Sequence, residues 1–390
     1  MRITASEKYF IIFCFLAGIV SCYDVSLSER NLKMEINKWS NFTVHVETKE
    51  SVYITSVTME LNHTSDIRVS PKIVEIHTKN FSSWCHMFHV YAIKPGTSRI
   101  QFNFGNSSLR DKGKDLHIDV DVVKMRGLEP YADWCRKYYY IFSILSVYPQ
   151  IFLQFLRLSV VGLDMDYVCF NFIGYLSYGI YTTFTYNKVA PHSEGNLQED
   201  FSVTLTEIMY ALHGLVISTL LGLQAIKYHG IDKRVSVVGK ELISFYGIIF
   251  TFGLLLAKFN VMHYRDFLYI CYYIHIASAI TKYMPQLYKN YVIKSTFGWS
   301  IWTSNLELIG CIFLIIGIFL TSYNYENWAN IPTDVLFWMA CAISLQHTAF
   351  IIQHYFIYKK WLEFDLSELQ EITLQEKISL YEQRLDHCHC

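Results

Sequence analysis

Charge is what this chain has least of. Only 17% of its 390 residues are Asp, Glu, Lys or Arg, against 52% hydrophobic ones. A soluble domain carries nearer a quarter charged residues, so the apolar excess needs a home other than an ordinary core. The net charge of −1 says nothing about nucleic acid by itself and argues against a basic docking surface. Ten cysteines are present, but they are scattered, mostly in apolar runs, and none has metal-ligand spacing. The closing His387-Cys388-His389-Cys390 has ligand composition only, because four consecutive residues do not readily close a tetrahedral site. No metal and no cofactor is expected. No nucleophile–base set stands out either, which makes an enzyme the least favoured class.

The N-terminus has the order of a secretory signal. Arg2 and Lys8 form a basic start, Tyr9 to Val20 an apolar run, and Val20-Ser21-Cys22 a small-residue site for cleavage before Tyr23. A run of about 12 residues is too short for the roughly 20 that a membrane span needs. Residues 1–22 are therefore read as a signal peptide.

Residues 23–130 alternate apolar and polar side chains over short stretches, as in Phe42-Thr43-Val44-His45-Val46 and Leu116-His117-Ile118-Asp119-Val120-Asp121-Val122. Period-2 alternation with Pro95-Gly96 and Gly105-Asn106 as turns predicts a small β-sandwich. Four N-glycosylation sequons fall here, at Asn41, Asn62, Asn80 and Asn106. Four clustered after a signal peptide, with none elsewhere, assign this domain to the secretory lumen. Cys85 is its only cysteine, with Cys135 beyond it, which excludes a disulfide framework and leaves a Cys85–Cys135 bridge open.

From Trp134 onward seven apolar segments follow, at about 135–157, 165–186, 201–226, 239–260, 266–288, 299–321 and 333–357. A lumenal N-terminus and an odd number of spans put the C-terminus in the cytosol. Loop charges agree. Arg157, Lys227, Lys233, Arg234, Lys240, Lys289, Lys294, Lys359 and Lys360 fall on the cytosolic side, against chiefly Lys188 and Arg265 on the other. The expected division is 1–22 signal, 23–130 lumenal domain, 131–358 helical domain and 359–390 cytosolic tail, with 362–385 an amphipathic helix.

An internal repeat separates a carrier from other seven-span proteins. Pro149-Gln150 recurs as Pro285-Gln286, 136 residues on, and the same offset matches Ser159 to Ser295, Gly162 to Gly298, Asn171 to Glu307 and Gly174 to Gly310. Spans 1–3 and 5–7 then form two parallel three-helix repeats joined by span 4, a plan common among alternating-access carriers. Proline inside a helix removes a hydrogen bond and kinks it, so Pro149, Gln150, Pro285 and Gln286 are read as paired hinges.

Two charges lie deep in the spans. Glu307 falls about 12 Å into span 6, and Lys282 precedes Pro285 by three residues. Charges at such depth face a cavity or a partner, so the two are a candidate proton and substrate site; an ion pair between them is the structural alternative. Asp164 and Asp166 begin span 2, where either can cap the helix. His213, His275, His347 and His354 are expected to be packed and hydrogen-bonded, and Glu207 and Asp266 to be solvated.

These motifs resemble the cystinosins, within the PQ-loop carriers. The residues that carry the resemblance are Tyr148-Pro149-Gln150 with Ser159-Val160-Val161-Gly162-Leu163 and Asp166, then Lys282-Tyr283-Met284-Pro285-Gln286 with Lys294-Ser295-Thr296 and Gly298-Trp299-Ser300-Ile301. Leu212-His213, Ser322-Tyr323-Asn324 with Trp328, and Gln353-His354 match as well, so the likeness covers about 131–358. The resemblance implies a lysosomal membrane carrier that exports cystine in symport with protons. By position it assigns proton coupling to Glu307 and Asp166, and substrate binding to Lys282, Thr303 and Asn171. Two departures stand out: Glu307 occupies a family aspartate position, and Thr303 a family asparagine position. The tail lacks a convincing tyrosine sorting signal, since Tyr358 is followed three residues on by Trp361 and Tyr381 by Arg384. The alternatives are a PQ-loop carrier of another amino acid, a cationic one for instance, and a seven-helix receptor without transport. Partners implied are the amino-acid substrate, protons and the bilayer, with no nucleic acid.

Overall fold

The computed structural model describes residues 23–48, 57–62, 66–74, 83–104, 116–189, 203–228 and 234–358. The signal segment, Asn80, Asn106 and the tail from residue 359 lie outside the described residues. The chain divides into two compact units, Met1–Glu129 with Leu320–Trp328, and Pro130–Phe319 with Ala329–Cys390.

The first unit is a two-sheet sandwich. Strands β1 (Tyr23–Leu27), β3 (Trp39–Thr48), β7 (Ser83–Ala92) and β5 (Ile67–Ser70) form one sheet, in the order β1-β3-β7-β5. The other runs β2-β9-β8-β4-β6, from β2 (Asn31–Glu35), β9 (His117–Val123), β8 (Gly96–Phe104), β4 (Val57–Asn62) and β6 (Ile73–Val74). Alternation builds the core. Phe42 and Phe88 are directly opposite in the β3–β7 register, with ring centroids 5.3 Å apart, and Phe102 of the facing sheet meets Phe42 at 5.9 Å. Ile100, Ile118, Val120 and Val122 complete the same buried layer. Asn41, one residue before Phe42, points out and is exposed, as the pleat requires. Cys85 is an exposed free thiol of this unit.

Within this unit the end of the sandwich is stitched to the segment 320–328. Asn324 is buried; its backbone carbonyl accepts from Lys124 N–H and its Oδ1 from Met125 N–H, each at 2.9 Å. Glu129 accepts from Lys33 Nζ at 3.1 Å and from Tyr325 OH at 3.0 Å. Nearby, Glu35 pairs with Lys38 and accepts from Arg126 N–H at 2.9 Å. The Lys38 bond, with the Arg126 N–H second, holds the Glu35 carboxyl below its ordinary value of 4.5. A depressed folded-state value gives stability that is complete above the ordinary value and is lost as pH falls through the depressed one. Glu35→Gln is therefore expected to flatten the acid-side loss of thermal stability of this unit, a small effect for so exposed a group. Melting of the purified chain between pH 7 and 3 checks it, and an acid limb as steep as the parent's contradicts it.

The second unit is helical. Helices α1 (Glu129–Arg157), α2 (Met165–Val189) and α3 (Leu205–Lys227) come first, the first two of them holding the first Pro-Gln pair and its loop, and α4 (Val237–Lys258) follows. Then come α5 (Tyr264–Thr281), α6 (Tyr283–Ile293), α7 (Ile301–Asn324) and α8 (Val335–Ile352), the last extended by a wider turn at Gln353–Ile357. Among the described residues five helices are long and apolar enough to cross a membrane: those ending at Arg157, Lys227, Lys258, Asn324 and Ile357. The segments below that apolarity, α2 and α5–α6, bear the buried polar groups Asp166, Asn171, Lys282 and Gln286. This is a multi-pass membrane protein.

The two Pro-Gln elements differ in backbone. Helix α1 runs through Pro149, whereas in the second repeat the hydrogen-bond ladder is interrupted beside Lys282, whose own backbone stays helical (φ −57°, ψ −31°) and donates to Ser278 O at 2.9 Å. Pro285 has no N–H to offer the Thr281 carbonyl one turn back, and this frees the backbone there. The loops after them are nearly identical. Leu158 and Lys294 both take left-handed φ, 47° and 56°, and end their helices; Ser159 Oγ and Ser295 Oγ accept from Val161 and Phe297 N–H at 3.2 and 3.1 Å.

Helix packing crosses between repeats. At Gly174 of α2, a Cβ would meet Ser278 Cβ of α5 at 3.2 Å; at Gly310 of α7, one would meet Phe142 Cβ of α1 at 3.3 Å. Two small residues 136 positions apart thus let the second helix of each repeat approach the first helix of the other.

Candidate functional site

Helix α1 carries one polar stripe on an otherwise apolar surface: Ser143, Ser146, Gln150 and Gln154, spaced for one helix face and all buried. The upper pair reaches Glu307 of α7. Ser146 Oγ donates to Glu307 Oε2 at 2.7 Å and Ser143 Oγ to Oε1 at 3.2 Å. Glu307 is only 5% exposed. Opposite, Lys282, beside the interruption, donates to Asn171 Oδ1 of α2 at 3.0 Å. Ser146 and Lys282 are 136 residues apart, as are Asn171 and Glu307, so the two contacts are the same contact in the two halves. Both charges come from the second repeat.

The charges make no direct ion pair; each has its own neutral partner, against the structural alternative raised by the sequence. A hydroxyl relay leads from Glu307 through Ser143 and Tyr210 as far as Tyr175, whose ring faces Lys282. Tyr210 OH lies 3.0 Å from Ser143 Oγ and 3.1 Å from Tyr175 OH, and the Lys282 ammonium sits 5.5 Å from the Tyr175 ring centroid and 4.7 Å from that of Tyr283. Desolvating a cation strengthens such ring contacts. Buried polar atoms without a protein partner collect in the same region: Asn171 Nδ2, Thr303 Oγ1 one turn before Glu307, and Ser278 Oγ one turn before Lys282. A compact site of one ammonium, one carboxylate and several unpartnered polar atoms suits a small polar ligand.

The lower half of the stripe does different work. Gln150 Nε2 donates to Gly298 O at 2.8 Å and its Oε1 accepts from Ser300 N–H at 2.7 Å. Gln286 Nε2 donates to Gly162 O at 2.9 Å and its Oε1 accepts from Asp164 N–H at 2.7 Å. Every pair in the second set is the first set moved by 136. Each glutamine thus clamps the loop of the other repeat, and both side chains are 0% exposed. Gly162 and Gly298, at φ 88° and 89°, pack backbone to backbone at the crossing.

A model of the PQ loop repeat matches residues 138–189 and 267–326, the stretches that hold both Pro-Gln pairs and both crossing loops. Cystinosin of Drosophila melanogaster is 29% identical over 264 residues, 67% of this chain and 66% of that protein. Bovine cystinosin is 28% identical over 237 residues, 58% and 63%, and a Caenorhabditis elegans cystinosin homolog 31% over 228, 57% and 55%. The chain is similar to the cystinosins. The match spans about two thirds of the fly protein's length and less of the other two.

In this chain Asp166 stands apart from the Glu307 cluster. Its Oδ1 accepts from Ser236 N–H at 2.8 Å and its Oδ2 from Ser236 Oγ at 2.5 Å, beside the start of α4. Asp164 Oδ1 accepts from Asp166 N–H at 2.9 Å and so caps α2. Glu207, expected to be solvated, forms a capping box with Thr204 and also accepts from Tyr140 OH at 3.1 Å, beneath Tyr210. Ser143, Ser146, Tyr175 and Tyr210 were not singled out by the sequence. The serine stripe was legible there as polar residues at helical spacing; the tyrosines were not, because their partners lie on other helices.

Proposed function

We propose that the chain is a proton-driven carrier that moves cystine, or a zwitterionic amino acid of similar size, from an acidic lumen to the cytosol. The reading includes seven spans, a lumenal N-terminal unit glycosylated at Asn41, Asn62, Asn80 and Asn106, a cytosolic C-terminus and residence in the lysosomal membrane. One observation carries it. At this site one buried ammonium and one buried carboxylate, Lys282 and Glu307, come from one repeat and bond neutral partners of the other, Asn171 and Ser146, while the second buried carboxylate, Asp166, is bound to Ser236 elsewhere. One charge of each sign complements the carboxylate and ammonium of an α-amino acid. A cationic substrate finds no surplus carboxylate beside Glu307, which weighs against that alternative.

The geometry supports the following cycle. The crossing loops 158–164 and 294–300 adjoin Arg157, Lys289 and Lys294, on the side that the charge bias makes cytosolic, so the glutamine clamps close the path to the cytosol. With that end shut, Glu307 takes a proton from the lumen and the buried negative charge disappears. Substrate enters, its carboxylate replacing Asn171 Oδ1 as partner of Lys282, and Thr303 Oγ1 and Asn171 Nδ2 gain bonds they lack in this state. Opening needs the four glutamine bonds to break together, with the interruption beside Lys282 as the flexible point of the second repeat. Deprotonation toward the less acidic cytosol restores the charged site and releases substrate.

Competition identifies the substrate. Uptake of labelled cystine at acidic outside pH, by protein routed to the plasma membrane, is expected to be blocked by unlabelled cystine and little affected by lysine or arginine. Inhibition by the cationic amino acids alone selects the alternative carrier, and specific binding without flux selects the receptor.

A further inference from the structure

Four histidines lie inside the helices of the second unit, and three have protein partners. His213 Nε2 lies 2.8 Å from Tyr148 OH, His354 Nδ1 lies 2.7 Å from Thr296 Oγ1, and His275 Nδ1 donates to Gly174 O at 3.1 Å while its ring stacks on Tyr178. His347 of α8 is different. It is 0% exposed, yet neither ring nitrogen has a hydrogen-bond partner among the described residues. The sequence reading of His347 as packed and hydrogen-bonded is thus half right: it is packed, and it is unsatisfied.

Two unsatisfied nitrogens are costly to bury, and the surroundings do not call for them. The imidazole packs edge-to-face on Tyr283 at 4.4 Å and lies 5.8 Å from Phe350, a setting that an apolar ring fills without penalty. Tyr283 is the same ring that lies under the Lys282 ammonium. His347 and the Lys282 ammonium therefore contact one and the same ring, which puts His347 beside the site. A polar group held unsatisfied beside a ligand site is a feature of a site that awaits its ligand.

We propose that His347 contacts the substrate, binding the polar end that lies beyond the α-amino-acid group held by Lys282 and Glu307. The inference rests on the carrier reading above and adds a length and polarity requirement to it. Two-ended amino acids such as cystine satisfy His347, whereas an amino acid of one end and an apolar side chain leaves it unpartnered. A site that hydrogen-bonds a substrate group discriminates strongly against analogues that lack it.

The test uses His347→Phe, which keeps the ring and removes both nitrogens, and His347→Gln, which restores a donor and an acceptor. For cystine uptake at acidic outside pH, His347→Phe is expected to raise KM about tenfold, with His347→Gln recovering most of that loss. Methionine, as a one-ended probe, is expected to compete better against His347→Phe than against the parent. The purified His347→Phe chain is expected to melt no lower than the parent and to lose the stabilisation that cystine gives the parent. Cystine uptake by the parent with an unchanged KM in His347→Phe, or a lowered melting temperature with an unchanged KM, overturns the assignment of His347 alone. A parent that cystine stabilises but does not cross overturns the carrier reading and leaves this contact testable by the melting shift. A parent that cystine neither crosses nor stabilises overturns both.

Discussion

Glu307→Gln is expected to abolish proton-coupled substrate current, a loss of roughly a hundredfold or more, while the protein reaches its membrane in normal amount. The substitution is nearly isosteric. Ser143 and Ser146 hold the two carboxylate oxygens at 3.2 and 2.7 Å, and a hydroxyl can donate to the amide oxygen or turn to accept from the amide nitrogen. Packing on α1 is therefore kept and only the capacity to carry a proton is lost. Glu307→Asp shortens the side chain by one methylene, away from the serine stripe, and is expected to retain coupled transport at reduced rate. Ser146→Ala removes one neutral donor and is expected to cost a factor of about five to ten. This ordering, with Gln worst despite the best fit, separates a proton site from a packing site. Electrophysiology on surface-routed protein reads all three, and a Glu307→Gln current equal to the parent's sinks the assignment.

The second large effect is expected at the crossing of the two loops. A Cβ on Gly162 would lie 2.1 Å from Phe297 O, and one on Gly298 would lie 2.3 Å from Val161 O and 2.6 Å from Gly162 Cα. Both neighbours are backbone, so no side chain can swing away, and both positions have φ near +90° that an L-residue adopts only with strain. Gly162→Ala and Gly298→Ala are each expected to cost roughly 3 kcal/mol or more, seen as a large fall in melting temperature and loss of transport. Gln150→Ala and Gln286→Ala are milder in packing, yet each leaves a carbonyl and an N–H of the other repeat's loop unpartnered. The two glutamine variants are expected to be impaired alike, because the bonds they lose are the same bonds shifted by 136 residues. An effect confined to one of them contradicts the reciprocal clamp.

The contrast between these sites bears on what a sequence can carry. Glu307 and Lys282 stood out because a charge deep in an apolar run is rare, which is a property of one residue and its neighbours. The repeat was visible because identical spacing survives in the chain itself, and in the structure it governs the Gln150 and Gln286 clamps, the Leu158 and Lys294 turns and the Gly174 and Gly310 contacts. The stripe of Ser143, Ser146, Gln150 and Gln154 was equally present in the sequence, but small hydroxyls in a membrane helix often bond only their own backbone, and nothing local reveals a carboxylate opposite. Pair properties were out of reach. Asp166 was offered as a helix cap from its position and as a coupling group from the resemblance; its partner Ser236 lies 70 residues away, at the start of α4. Tyr175 and Tyr210 join the relay only because α2 and α3 pack together. His347 looked like any histidine on an apolar face; that its nitrogens lack partners depends on what α5 and α6 place around it.

Coupling between proton and substrate is the central claim, and purified protein in liposomes tests it most directly. With cystine outside, an acidic exterior and a pH-sensitive dye within, the account predicts cystine uptake that requires the gradient, acidifies the interior in step with substrate entry, and is absent in Glu307→Gln. Cystine uptake of equal rate with and without the gradient, unaccompanied by proton entry, would contradict it.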